Sequence, residues 1–388
     1  MSSVDAIKDK IDDYTDTIYA IVGFINFYRF DPSRKTIRDD VLVFQGIRLS
    51  FDVQDETDET KTIAKEVTPD LLVHGPGQVA IVGEVKKSFP ADEEHWWDDF
   101  RQLLSYDNDL KGWPNEKGVV PTHDIVLLIH QSRAMAVRRF RQNNATKMPF
   151  RHPFVMIEFN RSDERQPYIF FRTVDGSLSV PAVDRQLQDG VPVPMQILLK
   201  VYSTVAFYDS EPPLPYMLNM IWTHALLPEV EDRRPGALAK LRRNQKIDVH
   251  VTVSEITHAL SEAFSYRQLN REFVERQPEL PKREWVENAC QHLIASGEAT
   301  RVNKSEDELV VSFRRYEDTL DHFVQSCAAS MQPDPQLRLF EDETSVVAKG
   351  GLGQATSVEA SALEPVANDG RAAYTPTSPP LDAASGDR

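Results

Sequence analysis

The stretch from Pro69 to Lys86 constrains the fold of this chain more than any other segment. Its two apolar runs are separated by Gly-Pro-Gly at positions 75–77, and this combination predicts two β-strands joined by a turn. Side chains two apart in a strand point to the same face of the sheet. Glu84 and Lys86, near the end of the second strand, are therefore predicted to share one face of a β-hairpin.

The position of the turn decides which residue lies opposite this pair. With the turn centred on Gly77, Asp70 is opposite Glu84, and with the centre one residue earlier it is opposite Val82. Both registers bring Asp70 to the face of Glu84 and Lys86. Two carboxylates and one ammonium are thus predicted to converge at one end of the hairpin.

A divalent-metal site is one interpretation of this convergence. Mg²⁺ prefers hard oxygen ligands and keeps several waters; Asp70 and Glu84 supply two carboxylates, and the carbonyl of Val85 supplies a third oxygen. Lys86 would then orient or deprotonate a metal-bound water and offset charge on a phosphate. The alternative is a surface strand that carries an ordinary Glu–Lys pair. We expect Mg²⁺ as the cofactor, with Mn²⁺ able to substitute.

The elements around the hairpin predict a mixed α/β domain. Residues 5–30 carry an apolar helical stripe, and a second helix is predicted from Ser33 to about Val43. Alternation over residues 47–53 indicates a half-buried strand. A helix with an acidic first turn is predicted over residues 91–106, and residues 125–129 are apolar on both faces, as in a central strand.

This arrangement resembles the PD-(D/E)xK nuclease superfamily. Pro69-Asp70 and Glu84-Val85-Lys86 match its short motif, and the predicted elements follow its α-β-β-β-α-β core order over roughly residues 5–175. Gln102 and Tyr106, four residues apart on one helix face, resemble the Gln-x-x-x-Tyr motif of the RecB-like branch.

The resemblance implies a restriction-endonuclease-like core, a mixed sheet flanked by helices, that cuts DNA. It implies catalytic roles for Asp70, Glu84, Lys86 and Gln102, metal binding by Asp70, Glu84 and Val85, and contact with DNA by Tyr106. Packing in the core is the other interpretation of Tyr106. Lys87 is expected to point away from the site and to add positive charge for nucleic-acid binding. An additional acid of the family's first helix would correspond, by position only, to Asp39 or Asp40.

The second half of the chain has a different pattern. Residues 191–246 are predicted to be a helical connector between a nuclease-like domain at 1–190 and a third domain at 247–330. In that third domain, three predicted helices are followed by a β-hairpin, which resembles a winged helix. The third helix and the wing mix basic with acidic residues, which leaves DNA binding and protein docking open.

The last part, residues 331–388, is predicted to be a disordered tail because Pro, Ala, Ser, Gly and Thr dominate it and no periodicity remains. At its start, Gln336, Leu337, Leu339 and Phe340 resemble the Gln-Leu-x-Leu-Phe peptide by which bacterial replication and repair proteins bind the sliding clamp. The apolar side chains would fill a pocket and Gln336 would bond backbone at its rim. The alternative is that these residues fold back as a last strand.

Composition limits the remaining possibilities. The chain has 388 residues and a formal net charge of −16, which argues against an indiscriminate nucleic-acid coat. Only two cysteines are present, so we expect no disulfide framework and a cytoplasmic location. Neither a secretory signal at residues 1–5 nor an apolar run of membrane-spanning length is recognisable, so we expect no membrane association. The sequence leaves the oligomeric state open.

The leading hypothesis is therefore a bacterial Mg²⁺-dependent DNA nuclease that acts in DNA repair or in defence against foreign DNA, tethered in some contexts to the sliding clamp. The alternative is a catalytically inactive nuclease fold that binds DNA or docks partners through its winged helix. The acid-acid-lysine set favours the nuclease, because a scaffold has no need of it.

Overall fold

A computed structural model of the chain describes residues 2–31, 36–37, 42–44, 46–54, 62–75, 79–87, 93–113, 121–162, 168–194, 205–233, 235–236, 245–264, 280–302 and 307–330. The strands of its first half are β1 (Phe30–Asp31), β2 (Thr36–Ile37), β3 (Leu42–Phe44), β4 (Leu49–Gln54), β5 (Thr62–Val67), β6 (Leu71–His74), β7 (Val79–Lys86), β8 (Thr122–His130), β9 (Phe154–Ser162), β10 (Tyr168–Asp175) and β11 (Val191–Pro194). The helices of this half are α1 (Ser3–Arg29), α2 (Glu93–Ser105), α3 (Gln131–Asn143) and α4 (Pro181–Asp189).

Seven of these strands form one mixed sheet in the order β11-β10-β9-β8-β7-β6-β3. β8 pairs in parallel with both β7 and β9, and the other neighbours are antiparallel. The apolar run Ile125–Ile129 is fully buried in β8, because helices cover both faces of the sheet. The predicted central strand and the predicted α/β class with a mixed sheet flanked by helices are confirmed.

α1 covers one face of the sheet. Its apolar stripe packs on Val73, Val85, Leu128 and Ile157 from four neighbouring strands. At Gly23 the helix approaches the sheet so closely that an added Cβ would lie 2.7 Å from Ile169 Cγ2. A larger residue at this position would therefore push α1 away from β10.

α2 and α3 cover the opposite face. Phe100 and Leu103 of α2 and Val137 of α3 are fully buried against Val82 and Leu127 of the sheet. The alternation predicted for β7 is confirmed, since its even-numbered residues face α2 and its odd-numbered apolar residues face α1. Glu84 and Lys86 therefore belong to the α2 face.

The predicted second helix, from Ser33 to about Val43, is wrong. Thr36–Ile37 pairs with β1, and Leu42–Phe44 pairs with β6 at the edge of the large sheet. Pairing with distant strands outweighs the local helical pattern here. β4 lies in the predicted strand region of residues 47–53, but it pairs with β5 in a separate two-stranded sheet.

The second half contains α5 (Leu214–Met220), a π-helical turn (Ile221–Leu226), α6 (Leu227–Arg233), β12 (Ile247–Thr252), α7 (Val253–Ala263), α8 (Arg283–Ala295), β13 (Ala299–Arg301), β14 (Glu308–Phe313) and α9 (Thr319–Ser330). β12, β14 and β13 form an antiparallel sheet in that order. The predicted first and third helices and the hairpin are confirmed, whereas the predicted second helix, at residues 266–276, lies outside the described residues. Sequence reasoning missed β12, although Val249 and Val251 alternate with polar residues.

All described residues belong to one compact unit, Met1–Gln332. Ile7 and Ile11 at the start of α1 share a core with α5 and the C-terminal helices, and Lys8 forms an ion pair of 3.0 Å with Asp321 of α9. The division at residues 190 and 246 remains a prediction, and β11 extends the large sheet to Pro194. None of the described helices has the length and apolar character that a bilayer-spanning segment requires.

Candidate functional site

The backbone pairing of the hairpin decides between the two predicted registers. β6 and β7 are antiparallel with Leu71 opposite Gly83. Asp70, one residue before β6, is therefore opposite Glu84. The first of the two registers is confirmed.

Asp70, Glu84 and Lys86 converge as the alternation of β7 predicts. The Oδ2 atom of Asp70 accepts a hydrogen bond of 2.9 Å from the backbone N–H of Val85, which fixes the carboxylate to β7. Glu84 is 3% exposed, and its Oε1 atom lies 3.0 Å from Nζ of Lys86. Two carboxylates and an ammonium therefore meet at the end of the hairpin.

Helix α2 completes the network from the side. Gln102 Oε1 accepts a hydrogen bond of 3.3 Å from Lys86 Nζ, and Gln102 Nε2 donates one of 3.1 Å to the hydroxyl of Tyr106. That hydroxyl donates in turn to Glu84 Oε2 at 2.7 Å. The i, i+4 spacing of Gln102 and Tyr106 thus places both side chains on the helix face that meets the hairpin.

Tyr106 is fully buried, with 0% of its surface exposed. Burial and the adjacent Glu84 carboxylate raise the pKa of Tyr106, so the hydroxyl keeps its proton and remains a donor. In this structure Tyr106 holds Glu84 from behind and presents no surface to DNA. Of its two predicted roles, core packing with support of the site describes its position.

Lys87 contacts α1 rather than α2, but it lines one cleft with Asp70, Glu84 and Lys86, so the expectation that it points away from the site is wrong. It is also not free to add positive charge at the surface. Its Nζ atom lies 3.0 Å from Asp13 and 2.5 Å from Asp16 on α1. Arg161 also contacts Asp16, at 3.0 Å. Asp16 is only 14% exposed at its side chain and therefore joins α1 to the sheet, rather than lying on a solvated helix face.

The charges at the hairpin end are unbalanced. Burial and the nearby charge of Glu84 raise the pKa of Asp70 well above its usual value. Burial alone would lower the pKa of Lys86, but the carboxylates of Glu84 and Asp99 outweigh burial and raise it. Lys86 therefore keeps its positive charge. It forms ion pairs with Glu84 and Asp99, and the charge of Asp70 also stabilises it.

An open cleft of about 420 Å³ lies at this point. The hairpin contributes Asp70, Glu84, Val85, Lys86 and Lys87 to its lining; α1 contributes Lys10, Asp13, Tyr14 and Thr17; and the segment before α5 contributes Tyr208, Ser210, Glu211 and Pro213. The rings of Tyr14 and Tyr208 are stacked, with centroids 4.7 Å apart. Asp70, Glu84 and Lys86 thus share one cleft with residues from the second half of the chain.

Sequence reasoning missed two groups of these residues. Asp99 lies 3.3 Å from Nζ of Lys86, and its position three residues before Gln102 on one helix face was a usable signal. Tyr208 and Glu211 carry no local signal, because only the tertiary fold brings them to the hairpin.

The donor set fits a divalent cation that keeps part of its water shell. Among the described residues, no three His, Cys, Asp or Glu side chains form a ready metal-binding group. Asp70 and Glu84 offer two carboxylates, Val85 offers its carbonyl, and Mg²⁺ is commonly bound by one or two carboxylates with waters. A cation would also relieve the repulsion that raises the pKa of Asp70.

Several predicted residues lie outside the part of the chain that the structure describes. These are the candidate acids Asp39 and Asp40 and the clamp-binding-like peptide Gln336, Leu337, Leu339 and Phe340. Their predicted roles remain sequence-based.

Comparison with known proteins adds no relative. No family model matches this sequence, and neither the curated proteins nor the solved structures gave a match. The geometry of the cleft and the chemistry of its side chains therefore carry the functional assignment.

Proposed function

We propose that this protein is a Mg²⁺-dependent DNA nuclease that hydrolyses phosphodiester bonds at the cleft of Asp70, Glu84 and Lys86. The observation that carries the proposal is the bonded network that runs from Glu84 to Lys86, Gln102 and Tyr106, with Asp70 opposite Glu84. A strand with an ordinary surface ion pair has no reason to bury a glutamate beside a second carboxylate. DNA repair or defence against foreign DNA is the proposed role.

The residues would divide the chemistry as follows. Asp70, Glu84 and the Val85 carbonyl would hold the ion, which when bound supplies a water of lowered pKa and neutralises phosphoryl charge. Lys86 keeps its proton in this environment, so it would orient the attacking water and offset charge on the phosphate rather than act as the base.

Gln102 of α2 and Tyr106, the residue after this helix, would keep these groups in position. Gln102 fixes the ammonium of Lys86 by its amide oxygen, and Tyr106 fixes the carboxylate of Glu84 by its hydroxyl. Such partners restrict the rotamers of the reacting groups, which lowers the entropy lost in the transition state.

The excess of carboxylates predicts that the ion is also needed to bind substrate. Four carboxylates line the cleft (Asp13, Asp70, Glu84 and Glu211) against three ammonium groups (Lys10, Lys86 and Lys87). This excess repels a phosphate backbone, and the whole chain carries a net charge of −16. A bound divalent cation reverses the local sign. DNA affinity should therefore fall when the cation is removed, in addition to cleavage.

A cleavage assay tests the proposal. Purified protein is incubated with linear, circular, single-stranded and flapped DNA, with Mg²⁺ or with a chelator, beside Asp70→Ala and Lys86→Ala. The matched control is Asp98→Ala on α2, whose carboxylate is 67% exposed and pairs with Arg101. We expect cleavage in wild type and control only. Metal-dependent cutting that survives both site substitutions would refute the assignment.

Calorimetry separates the nuclease from an inactive scaffold. A nuclease should bind Mg²⁺ or Mn²⁺ in a manner that depends on Glu84, whereas a scaffold should show no such binding. Glu84→Gln preserves size and should abolish the heat of binding if the proposal holds.

We further propose that the large sheet is a PD-(D/E)xK core and that residues 247–330 are winged-helix-like. The order β12, α7, α8, β13, β14 supports the second part. Within the chain, Lys282 at the start of its third helix forms an ion pair of 3.0 Å with Asp209, and Asn288 donates a hydrogen bond of 3.3 Å to Glu211. Both roles of this helix, DNA binding and protein docking, stay open.

The clamp tether is a separate proposal from residues 336–340. A flexible peptide with two apolar anchors raises the effective concentration of the nuclease at DNA. Loss of binding to a purified sliding clamp after Leu339→Ala and Phe340→Ala would support the tether. Unchanged binding would refute it without affecting the nuclease proposal.

A further inference from the structure

Asp99 is a third carboxylate at the hairpin end, beside Asp70 and Glu84. Its contact there is with Lys86. Among the described residues the Lys86 ammonium has three close partners: Glu84 Oε1 at 3.0 Å and Asp99 Oδ1 at 3.3 Å in ion pairs, and Gln102 Oε1 at 3.3 Å in a hydrogen bond. The Asp99 side chain is 20% exposed and that of Lys86 is 24% exposed. This ion pair is thus shielded from most of the solvent that weakens surface pairs.

The direction of Asp99 follows from helix geometry. It lies three residues before Gln102, so both side chains leave α2 on the same face and meet Lys86 there. Its neighbour Asp98 leaves the helix in another direction and pairs with Arg101 at 2.6 Å. Two adjacent aspartates of equal charge therefore differ in partner and in exposure: Asp99 contacts Lys86 and is 20% exposed, whereas Asp98 pairs with Arg101 and is 67% exposed.

We infer that Asp99 is a positioning residue that holds the Lys86 ammonium in place while Glu84 binds the metal ion. The inference rests on the proposed nuclease function. Glu84 cannot serve a divalent cation and Lys86 fully at the same time, because the cation attracts its oxygens and repels the ammonium. Asp99 and Gln102 are the partners that remain, and of these two only Asp99 adds attraction between opposite charges.

Removal of the Asp99 charge should therefore affect metal binding as well as turnover. Without Asp99, Glu84 is the carboxylate among the described residues that still forms an ion pair with Lys86, so the ammonium competes with the cation for that carboxylate. Once the cation is bound, Lys86 retains only the neutral Gln102 and loses its fixed position. Both effects act through Lys86, although Asp99 itself touches neither metal nor substrate.

The test uses the full chain with Asp99→Asn, Asp99→Glu as the conservative variant, and Asp98→Asn as the matched control. Mg²⁺ affinity is measured by calorimetry without DNA, and kcat and KM are measured on a cleavable DNA. Asp99→Asn should weaken Mg²⁺ binding and lower kcat by about 10-fold, the lower end expected for loss of a ligand's supporting partner, with KM nearly unchanged. Asp99→Glu should recover part of the loss, and Asp98→Asn should match wild type.

Asp99 could act on the metal ion through Lys86 or directly through its own negative charge. Repeating the substitution in a Lys86→Met variant separates these two effects. If Asp99 acts through Lys86, Asp99→Asn should no longer weaken Mg²⁺ binding once Lys86 is Met, which is a double-mutant cycle on metal affinity alone. An undiminished effect in that background would overturn the inference, as would wild-type affinity and kcat in Asp99→Asn. If instead the wild-type protein itself neither binds Mg²⁺ nor cuts DNA, the proposed function fails first and the inference fails with it.

Discussion

Two buried glutamates in this molecule each accept a hydrogen bond from a tyrosine hydroxyl, but their surroundings differ. Glu84 in the hairpin accepts from Tyr106 at 2.7 Å, and Glu298, at the end of α8, accepts from Tyr316 at 2.6 Å. They are 3% and 8% exposed. Burial and a tyrosine partner therefore do not by themselves mark a functional acid.

The charges beside the two glutamates make the distinction. Glu298 also accepts from His322 at 2.7 Å; burial would raise the pKa of Glu298, but the bonds from His322 and Tyr316 outweigh it and lower the pKa. Glu84 instead lies opposite Asp70, whose pKa is raised. An acid stabilised by its neighbours is typical of a structural residue, whereas an acid such as Asp70, whose pKa is raised by burial and a facing carboxylate, is typical of sites that bind a cation.

The largest expected difference between the two regions is in catalysis. Glu84→Gln should lower kcat by at least about 10²–10³-fold, the scale seen when one preorganised electrostatic group is removed. Glu298→Gln should leave kcat within about twofold of wild type, because no group of the cleft contacts Glu298, and such distant sites behave independently. Parallel cleavage assays with both variants, each checked for folding by circular dichroism, measure this difference. Equal losses in the two variants would contradict the assignment of the site.

A smaller difference is expected for the two tyrosines. Tyr106→Phe and Tyr316→Phe each remove one hydrogen bond to a buried carboxylate, worth about 1.5–3 kcal/mol. Both should lower stability in urea unfolding, but only Tyr106→Phe should also lower kcat, by about 10-fold, because it frees Glu84 from its fixed position. A kcat loss in Tyr316→Phe would show that the surroundings of Glu298 influence the cleft.

Asp70 and Glu298 should also give opposite dependences of stability on pH in the metal-free protein. The raised pKa of Asp70 means that the folded state binds this proton more readily than the unfolded state, so its ionisation destabilises the protein above that pKa. Asp70→Asn should therefore raise Tm at neutral pH, by about 2–4 °C per kcal/mol relieved. The gain should shrink as pH falls through the raised pKa toward the unfolded value near about 4.

Glu298 has the reverse sign. Its lowered pKa means that ionisation stabilises the folded state at neutral pH, and this stabilisation is lost as pH falls below the unfolded value and through the lowered pKa. Glu298→Gln should lower Tm at neutral pH and approach wild type in acid. Thermal melts from pH 8 to pH 3 without divalent ions compare both variants. Parallel pH curves for the two would contradict the distinction drawn between these acids.

The smallest expected effect concerns the wall of the cleft that the second half of the chain supplies. Lys282 of the α8 N-terminus pairs with Asp209, next to the cleft residue Tyr208. Lys282→Glu should raise KM for DNA by about 2–5-fold, since a partly exposed pair contributes about 1 kcal/mol or less. Asp209→Lys in the same chain should restore it.

The matched control for this swap is Arg283→Glu, whose guanidinium pairs with Glu287 and Asp307, away from the cleft wall. A Lys282→Glu defect that Asp209→Lys does not rescue would instead indicate that α8 contacts DNA directly. The swap therefore tests whether this helix supports the cleft or reads nucleic acid.

The sequence predicted the hairpin side of the cleft because its signals are local. Alternation assigned Glu84 and Lys86 to one face. The position of the Gly-Pro-Gly turn limited the register to two, with Asp70 opposite Glu84 or Val82, and helical spacing placed Gln102 and Tyr106 together. Each of these inferences needs only the period of one element.

The parts that could not be predicted depend on contacts between distant segments. β3 became an edge strand because β6 offered a partner, which no local pattern at residues 42–44 encodes. Lys87 found Asp13 and Asp16 across the helix–sheet interface, and Tyr208 reached the hairpin from more than a hundred residues away. Long-range pairing of this kind is invisible to periodicity.

The most direct test of the central claim is the position of Mn²⁺ in crystals of the full chain, located by its anomalous scattering. We expect one strong peak within about 2.5 Å of oxygens from Asp70, Glu84 and the Val85 carbonyl, and no peak at this place in Glu84→Gln. A fully ordered hairpin without an ion at saturating Mn²⁺, or an ion bound only elsewhere, would contradict it.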